Sequence, residues 1–465
     1  MIFRQFIDED LGCASYLLGD AGEAAVVDPA WDTGKYLDFA DAHNLRITRV
    51  VETHTHADHV SGRGRLAAAT GAELLLPAEA DAAFPHTRLN PGDSFAFGDV
   101  EVDVVGTAGH RPEHLAFLVT DRGRYPEPTM LLSGDSLLVG DVARPDLAAG
   151  DSEQIDAASR SLFASIHRLA ALPDHVELWP GHIGGSLCCS AGTSEKPSST
   201  VALERRTNAA LADSDELRFV ADLRTRLPAR PPTVDLVVGL NRGPLIAAQP
   251  PLEELSVADA AGLLAAGATA VDGRSADAFD DAAIDGSLCI PLNRPGVGTR
   301  AAWLLDPATP LVLVADDAAL AERLASRLAA VGLFEVRGYL PADAANWQTQ
   351  GLPLNTVERV SAHELAGLLA DDAAVLVDVR DADEHARFSV PGALHVPWRE
   401  LPARAAEIRA LGKPIAVACA SGRRTAIAAS LLASRSGPSV LRLADEGIET
   451  LHGYSVELGA LAGST

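Results

Sequence analysis

Four residues able to bind a metal crowd into one short stretch of this chain, residues 53–59. The stretch reads Thr-His-Thr-His-Ala-Asp-His, and its candidate ligands are His54, His56, Asp58 and His59. The apolar pair Val50-Val51 precedes it and glycines follow, so the stretch should be a loop leaving a buried strand. Side chains this close repel each other's protons and charges unless a cation lies between them. The spacing therefore predicts a metal site, against the alternative of a histidine-rich surface turn.

Three later segments each place one possible ligand beside a glycine, directly after a β-like apolar run. The run at 102–105 leads to His110, the run at 130–133 leads to Asp135, and the run at 176–179 leads to His182. Loops at strand ends are where a rigid sheet can direct several side chains to one point. We therefore expect these three residues to lie at or close to the same metal site.

The segment from Met1 to about residue 245 resembles a metallo-β-lactamase-fold domain, whose H-x-H-x-D-H motif corresponds to residues 54–59. This resemblance implies an αββα sandwich. In hydrolases of the fold, such as glyoxalase II, all seven of these ligand positions hold two metals. In persulfide dioxygenases, the positions matching His54, His110 and Asp135 bind one iron. The remaining residues would then orient those ligands; they are His56, Asp58, His59 and His182. Because the chain keeps all seven, the ligand set alone leaves open one Fe(II) or two zinc ions.

Composition narrows the possible partners and the compartment. The chain has 465 residues with 38 Lys and Arg against 64 Asp and Glu, a formal net charge of −26, which disfavours nucleic acid and anionic membranes. We find no apolar stretch of membrane-spanning length and no signal-peptide pattern at the amino terminus. Five cysteines in so long a chain argue against a disulfide framework, so we expect a reducing cytoplasm.

Three cysteines in the first half carry little chemical signal. Cys13 begins a β-like segment, where a core or cleft-lining role is more expected than a catalytic one. Cys188 and Cys189 are adjacent in a Gly/Ser-containing loop, a spacing that suits neither a metal site nor a redox pair. We assign them no chemistry.

The second half of the chain contains an internal duplication. Proline-rich sequence around residues 226–252 marks a boundary, which predicts domains at 1–248, 249–355 and 356–465. The repeated segments are 261–264 with 366–369, 271–274 with 377–380, and 284–288 with 390–394. Each copy alternates short β runs with Ala/Leu-rich helices, so each should be a small α/β domain with a largely parallel sheet.

The two copies differ at one strand end. In the second copy a buried-strand run ends on Cys419, and a tight loop follows: Ala420, Ser421, Gly422, Arg423, Arg424 and Thr425. Loop amides and a positive helix end favour the thiolate form of a cysteine placed there. A buried structural cysteine is the alternative. The first copy has Ala315-Asp316-Asp317 at the matching place, with no nucleophile, so it should not hold a sulfur anion in this way.

This pair of copies resembles rhodanese domains, the second active and the first inactive. The landmarks in the second copy are Asp378-Val379-Arg380, the turn at 390–393 and a Cys-x4-Arg loop from Cys419 to Arg424. The whole chain is similar to bacterial persulfide dioxygenase–rhodanese fusions. That resemblance implies oxidation of a low-molecular-weight thiol persulfide by O₂ to thiol and sulfite. It also implies that Cys419 carries sulfur between sulfite, thiosulfate and persulfide, with Arg424 favouring the anionic partner.

Several alternatives stay open from the sequence. Arg205 and Arg206 resemble the region near the family's thiol-binding cleft, but an ordinary solvated helix explains them equally well. A dinuclear-zinc thioester hydrolase would fit the first domain, although sulfur transfer has no obvious link to that reaction. A non-catalytic sulfur-relay or sensing protein is the third possibility. We also expect a homo-oligomer.

Overall fold

The computed structural model describes residues 1–184, 193–444 and 446–454, so Cys188 and Cys189 lie outside the described residues. The chain forms two compact units. The first is Met1–Pro250 together with Ala329–Gly332, and the second is Pro251–Leu328 together with Leu333–Thr465. Among the described residues no helix combines the length and the apolar character that crossing a membrane requires.

Two six-stranded sheets form the centre of the first unit. The first sheet contains, in spatial order, β1 (Ile2–Asp8), β2 (Cys13–Asp20), β3 (Glu23–Val27), β4 (Arg46–Val51), β5 (Glu73–Pro77) and β6 (Thr87–Leu89). The second contains β7 (Ser94–Phe97), β8 (Val100–Gly106), β9 (Leu115–Asp121), β10 (Met130–Gly134), β11 (Glu177–Pro180) and β12 (Ser199–Thr200). Strands β3 to β6 are parallel to one another, and β10 is parallel to β11. Consecutive parallel strands are joined by crossover connections, which leave one end of the sheet and return at the other.

Helices cover the outer faces of both sheets. They are α1 (Gly34–Ala42), α2 (Arg63–Thr70), α3 (Ser152–Ala170), α4 (Val201–Thr207), α5 (Ala209–Ala212), α6 (Glu216–Arg226) and α7 (Val234–Arg242). Tyr16 and Phe117 belong to the core between the sheets, Tyr36 packs α1 on the first sheet, and Leu162 packs α3 on the second. These layers are the αββα sandwich expected from the sequence, because each sheet buries both of its faces.

The first copy of the duplication in the second unit is built on a parallel four-stranded sheet. Its spatial order is β15-β13-β16-β17. The elements in chain order are α8 (Val257–Ala265), β13 (Thr269–Asp272), α9 (Ala276–Asp281), β14 (Ala283–Ile284), β15 (Leu288–Cys289), α10 (Val297–Leu304), β16 (Leu311–Ala315), α11 (Ala318–Ala329), β17 (Val336–Pro341), α12 (Ala344–Thr349) and β18 (Leu354–Asn355). Strands β14 and β18 form a separate antiparallel pair.

The second copy has a parallel five-stranded sheet in the order β19-β23-β22-β20-β21. Its elements are β19 (Glu358–Val360), α13 (Ala362–Ala370), β20 (Val375–Asp378), α14 (Ala382–Arg387), β21 (Leu394–His395), α15 (Leu401–Arg409), β22 (Ile415–Ala418), α16 (Thr425–Leu432), β23 (Val440–Leu443) and a 3₁₀ helix (Ile448–Tyr454). Strand β22 is fully buried, as its unbroken apolar run predicts. It directs its carboxyl end towards the loop that begins at Cys419.

Candidate metal centre and thiol loop

All seven predicted ligands of the first unit are buried and follow the ends of four strands. The motif at residues 54–59 follows β4, His110 follows β8, Asp135 follows β10 and His182 follows β11. The groups of possible metal ligands that they form include His54–His110–Asp135, His56–Asp58–His59 and Cys13–Asp58–His182, of which the last two share Asp58. Ligands separated by more than a hundred residues thus meet because the carboxyl ends of neighbouring strands share one edge of each sheet.

The first group presents three buried atoms that lack a hydrogen-bond partner within the described part of the chain. They are His54 Nε2, His110 Nε2 and Asp135 Oδ2. Asp135 Oδ2 lies 3.8 Å from His54 Nε2 and 3.5 Å from His110 Nε2. Unpaired polar atoms are costly in a protein interior, so three of them converging on one point fit a bound cation. Two imidazoles and one carboxylate are a ligand set that suits Fe(II).

Hydrogen bonds at the far side of both imidazoles set their tautomers. His110 Nδ1 donates to the Arg144 carbonyl oxygen at 2.8 Å, which leaves Nε2 as the nitrogen with a free lone pair. The Thr53 hydroxyl donates to Asp28, so it accepts from His54 Nδ1 at 2.9 Å and again leaves Nε2 free. Burial lowers the pKa of His54 and His110 below the ordinary histidine value, which keeps both rings neutral and able to bind a metal.

His182 and Asp58 are bonded to each other and to their neighbours. His182 Nδ1 lies 2.7 Å from Asp135 Oδ1 and His182 Nε2 lies 2.8 Å from Asp58 Oδ2, so both ring nitrogens have carboxylate partners. The Cys13 thiol donates to Asp58 Oδ2 at 3.1 Å, and burial raises the pKa of this thiol, which keeps it protonated. Burial opposes ionisation of Asp135, but the charge of His182 outweighs it and lowers the Asp135 pKa. In this arrangement His182 orients the Asp135 carboxylate.

His56 and His59 each keep one nitrogen without a partner among the described residues, Nδ1 and Nε2 respectively. His56 Nε2 lies 2.9 Å from Glu52 Oε2 and 3.3 Å from Asp28 Oδ1. Burial disfavours the charged ring, but these two carboxylates outweigh it and raise the His56 pKa to about 10. The geometry at His56 and His59 therefore leaves a second metal position open.

His114 supports the centre and did not emerge from the sequence. Its Nε2 accepts from the Asp135 backbone N–H at 2.8 Å, so its Nδ1 carries the proton and donates to the Thr107 hydroxyl at 2.8 Å. Burial lowers its pKa to about 3, so the ring stays neutral. Its ring also stacks on that of His54, with centroids 4.9 Å apart. The one sequence feature that could have indicated its role is its position four residues after the predicted ligand His110.

Glu52 and Cys13 were also missed as parts of the centre. Glu52 is fully buried, bonds to His56 and has Arg63 as its cationic partner at 3.4 Å. It directly precedes the motif, where it reads as the last residue of a strand. Cys13 lines the centre, as the cleft-lining interpretation allowed, but its partner Asp58 was not predicted.

The two arginines proposed for substrate binding lie on α4. Arg205 is partly exposed and forms a surface ion pair with Asp174, and Arg206 is exposed. This placement favours the alternative of an ordinary solvated helix. The neighbouring Glu204 is the buried member of this segment; it accepts from the Gly140 backbone N–H at 2.8 Å and from Asn208 at 2.9 Å.

In the second unit, Cys419 is fully buried at the base of a short loop between β22 and α16. Gly422 has a φ of +75°, a conformation that glycine adopts without strain, and the Thr425 hydroxyl donates to its carbonyl at 2.7 Å. The Ile448 backbone N–H donates to the Cys419 carbonyl at 2.8 Å. Ala420, Ser421 and Arg423 are exposed, so the loop surrounds a buried sulfur with an accessible rim.

Arg424 points away from solvent and is held by two carboxylates. Its guanidinium bonds to both oxygens of Glu384, at 2.5 and 2.7 Å, and to Asp381 at 3.2 Å. Bidentate pairing of this kind fixes the orientation of both side chains. Arg424 therefore anchors the loop to α14, and this pairing offsets the positive charge that we expected it to offer an anionic sulfur compound.

The first copy carries no cysteine at the matching strand end. Strand β16 is fully buried and ends at Ala315, and exposed Asp316 and Asp317 follow. The cysteine of this copy, Cys289, lies on β15, where burial raises the pKa of its thiol. Its backbone N–H donates to the Ser430 hydroxyl at 3.0 Å. It is a core residue of the packed copies.

Comparison with known proteins assigns a family to the first unit and to the second copy of the duplication. Residues 8–182 match the Metallo-beta-lactamase superfamily and residues 361–452 match the Rhodanese-like domain. A crystal structure of a metallo-beta-lactamase from Staphylococcus aureus subsp. aureus COL is 30% identical, with a TM-score of 0.65, and covers 74% of this chain and 99% of its own. The chain belongs to the metallo-beta-lactamase superfamily. It joins a metallo-beta-lactamase domain to a rhodanese-like domain, as the sequence predicted.

Relatives of this metallo-beta-lactamase domain include two kinds of enzyme. The mitochondrial persulfide dioxygenase ETHE1 of Bos taurus is 28% identical over 246 residues, which are 52% of this chain and 87% of that protein. A hydroxyacylglutathione hydrolase of Methylobacillus flagellatus is 30% identical over 169 residues, 36% of this chain and 60% of that protein. These similarities are comparable, so the relatives alone do not separate a dioxygenase from a hydrolase.

Proposed function

We propose that the chain oxidises a low-molecular-weight thiol persulfide with O₂ at its metallo-beta-lactamase domain and transfers sulfur at Cys419. The observation that carries the first part is the convergence of His54 Nε2, His110 Nε2 and Asp135 Oδ2 as unpaired buried atoms. The rhodanese-like domain in the same chain supports the second part. Sulfite, the product of persulfide oxidation, can accept the sulfur that a cysteine persulfide carries.

The residues of the first unit would each do a defined part of this work. His54, His110 and Asp135 would hold Fe(II), which when bound would bring the persulfide and O₂ together. His182 would fix the Asp135 carboxylate, and His114 would fix its backbone. Supporting contacts of this kind orient ligands and tune the bound metal. The overall reaction converts RSSH, O₂ and H₂O into RSH, SO₃²⁻ and two protons.

Cys419 would carry one sulfur as a persulfide within its loop. Attack by sulfite on the outer sulfur breaks the S–S bond, releases thiosulfate and returns the electron pair to the Cys419 thiolate. The reverse reaction would load Cys419 from thiosulfate. The loop held by Arg424, Gly422 and Thr425 would present backbone N–H groups to the negative sulfur.

A dinuclear-zinc thioester hydrolase is the second candidate for the first unit. The unpaired His56 Nδ1 and His59 Nε2, and the similarity to hydroxyacylglutathione hydrolases, favour it. Zinc ions held by these residues would supply an activated water for hydrolysis of a thioester. The fused rhodanese-like domain gives this reaction no evident purpose.

Oxygen uptake by the full chain tests the proposal. With a thiol persulfide as substrate, the wild-type protein should consume O₂ and form thiosulfate. Cys419→Ser should consume O₂ at about the wild-type rate but release sulfite in place of thiosulfate. If the chain were only a sulfur-relay protein, neither the wild type nor Cys419→Ser would consume O₂. Loss of O₂ uptake in Cys419→Ser would contradict the proposal that oxidation and sulfur transfer occur at two separate sites.

A further inference from the structure

A small cavity of about 120 Å³ lies beside the Cys419 loop, and the inactive copy supplies much of its wall. Ser421 and Arg423 of the loop line it, together with Arg442 of β23. Asn293, Arg294 and Arg300 of the first copy line the same cavity. The active loop of one copy and an arginine-bearing segment of the other therefore face the same space.

The lining is cationic in a chain that is strongly acidic. Four arginines line the cavity against one acidic residue, Asp277, whereas the chain as a whole carries −26. Arg442 is buried and paired with Asp277 and Asp280, so its charge is offset. Arg294 and Arg423 are exposed and form no salt bridge within the described residues. These two guanidiniums, one from each copy, are the groups best placed to bind an anion.

Polar contacts, two of them buried, fix the first copy against the second. Arg442 Nε donates to Asp280 at 2.8 Å, and the Cys289 backbone N–H donates to the Ser430 hydroxyl of α16 at 3.0 Å. Arg359 pairs with Asp281 at 2.7 Å. Because α16 begins directly after the Cys419 loop, these contacts hold the segment of Arg294 at a set position beside that loop.

We propose that the inactive copy completes the sulfur-transfer site by forming, with Arg423, the pocket for the sulfur oxyanion that exchanges sulfur with Cys419. This rests on the proposed function of Cys419. The pocket would take sulfite as acceptor and thiosulfate as donor. Its volume suits a small inorganic anion, because pockets for larger organic ligands measure roughly 300–1,000 Å³. The arginines bind the oxygens of the anion while the sulfur of sulfite attacks the outer sulfur of the Cys419 persulfide. In the reverse direction the Cys419 thiolate takes the outer sulfur of bound thiosulfate and releases sulfite.

The kinetics of full-length variants test this pocket. In the transfer of sulfur from thiosulfate to cyanide, Arg294→Ala should raise the KM for thiosulfate about five- to tenfold while kcat stays within about twofold, because a binding contact is lost. Arg423→Ala should act in the same direction. The matched control is Arg323→Ala on α11, an exposed arginine of the same copy that does not line the cavity. It should leave KM unchanged, which excludes an effect of net charge alone.

A binding measurement separates this proposal from the proposed function. Titration calorimetry with sulfite, in the Cys419→Ser background, should show binding that Arg294→Ala weakens about five- to tenfold and Arg323→Ala does not. Wild-type protein that transfers no sulfur would refute the function of Cys419. Sulfur transfer in which Arg294→Ala keeps the wild-type KM and sulfite affinity would refute the pocket alone. A rise in KM confined to the organic persulfide would also overturn the oxyanion assignment.

Discussion

At the residue scale, the three atoms that converge without partners differ from their neighbours in what surrounds them. His54, His110 and Asp135 each have one atom engaged by the protein and one left for a cation. His182 has both nitrogens engaged. Of these four residues, His54, His110 and Asp135 can therefore bind a metal directly, whereas His182 orients Asp135.

This division predicts different outcomes for two histidine variants. His110→Ala should lose most of its iron, since one of three ligands is gone. His182→Ala should retain iron near the wild-type content but lose about 10- to 100-fold in persulfide-dependent O₂ uptake, because Asp135 loses its orienting partner. Metal analysis and O₂ uptake on the same preparations measure both quantities. Equal loss of iron in the two variants would contradict separate roles.

His114 gives a second prediction at this scale. His114→Leu removes the acceptor for the Asp135 backbone N–H and should lower iron affinity about 10- to 100-fold. His114→Gln keeps an acceptor near the position of Nε2 and should recover part of that loss. The exposed His175→Ala is the control. Iron retention during dialysis against a chelator measures the effect, and wild-type retention in His114→Leu would remove His114 from the centre.

At the scale of elements, the Cys419 loop depends on backbone packed closely behind it. A Cβ at Gly447 would lie 2.3 Å from the Ala420 carbonyl oxygen, a contact that the backbone cannot accommodate without moving. The next residue, Ile448, donates to the Cys419 carbonyl. The segment entering the 3₁₀ helix therefore sets the position of the loop.

Gly447→Ala should accordingly destabilise the second unit by about 1–3 kcal/mol, the usual cost of overpacking. It should slow sulfur transfer about tenfold or more, because small displacements of reacting groups are costly. O₂ uptake should be unchanged. Gly367→Ala is the matched control, because it lies in α13 with open space around it. Thermal unfolding and the transfer assay report both effects, and a normal transfer rate in Gly447→Ala would show that the loop tolerates displacement.

Much of this architecture was predictable at the level of elements. The strand-end positions of the seven predicted ligands, the duplication and the buried strand before Cys419 all followed from apolar runs and glycines. The roles of Cys13, Glu52 and His114 did not, because each depends on a partner far away in the sequence or across a sheet edge. Arg424 lies at the end of the Cys419 loop, and its pairing with Glu384 on another helix could not be read from local sequence.

At the scale of the whole molecule, the chain combines a metallo-beta-lactamase domain with a rhodanese-like domain. The first half alone resembles persulfide dioxygenases and hydroxyacylglutathione hydrolases to a similar degree. What favours persulfide oxidation is the rhodanese-like domain of the second half, because the proposed sulfur transfer at Cys419 would use the sulfite that such a reaction releases. The ligand geometry of the first unit and the combination of the two domains thus both support the proposed function.

The metal content of the purified full-length protein, measured together with its O₂ uptake, tests the central claim most directly. We predict one iron per chain and O₂ consumption that requires a thiol persulfide. Chelation of the iron should abolish that consumption, and Fe(II) should restore it. Two zinc ions per chain, with thioester cleavage and no persulfide-dependent O₂ uptake, would contradict the account and establish a hydrolase.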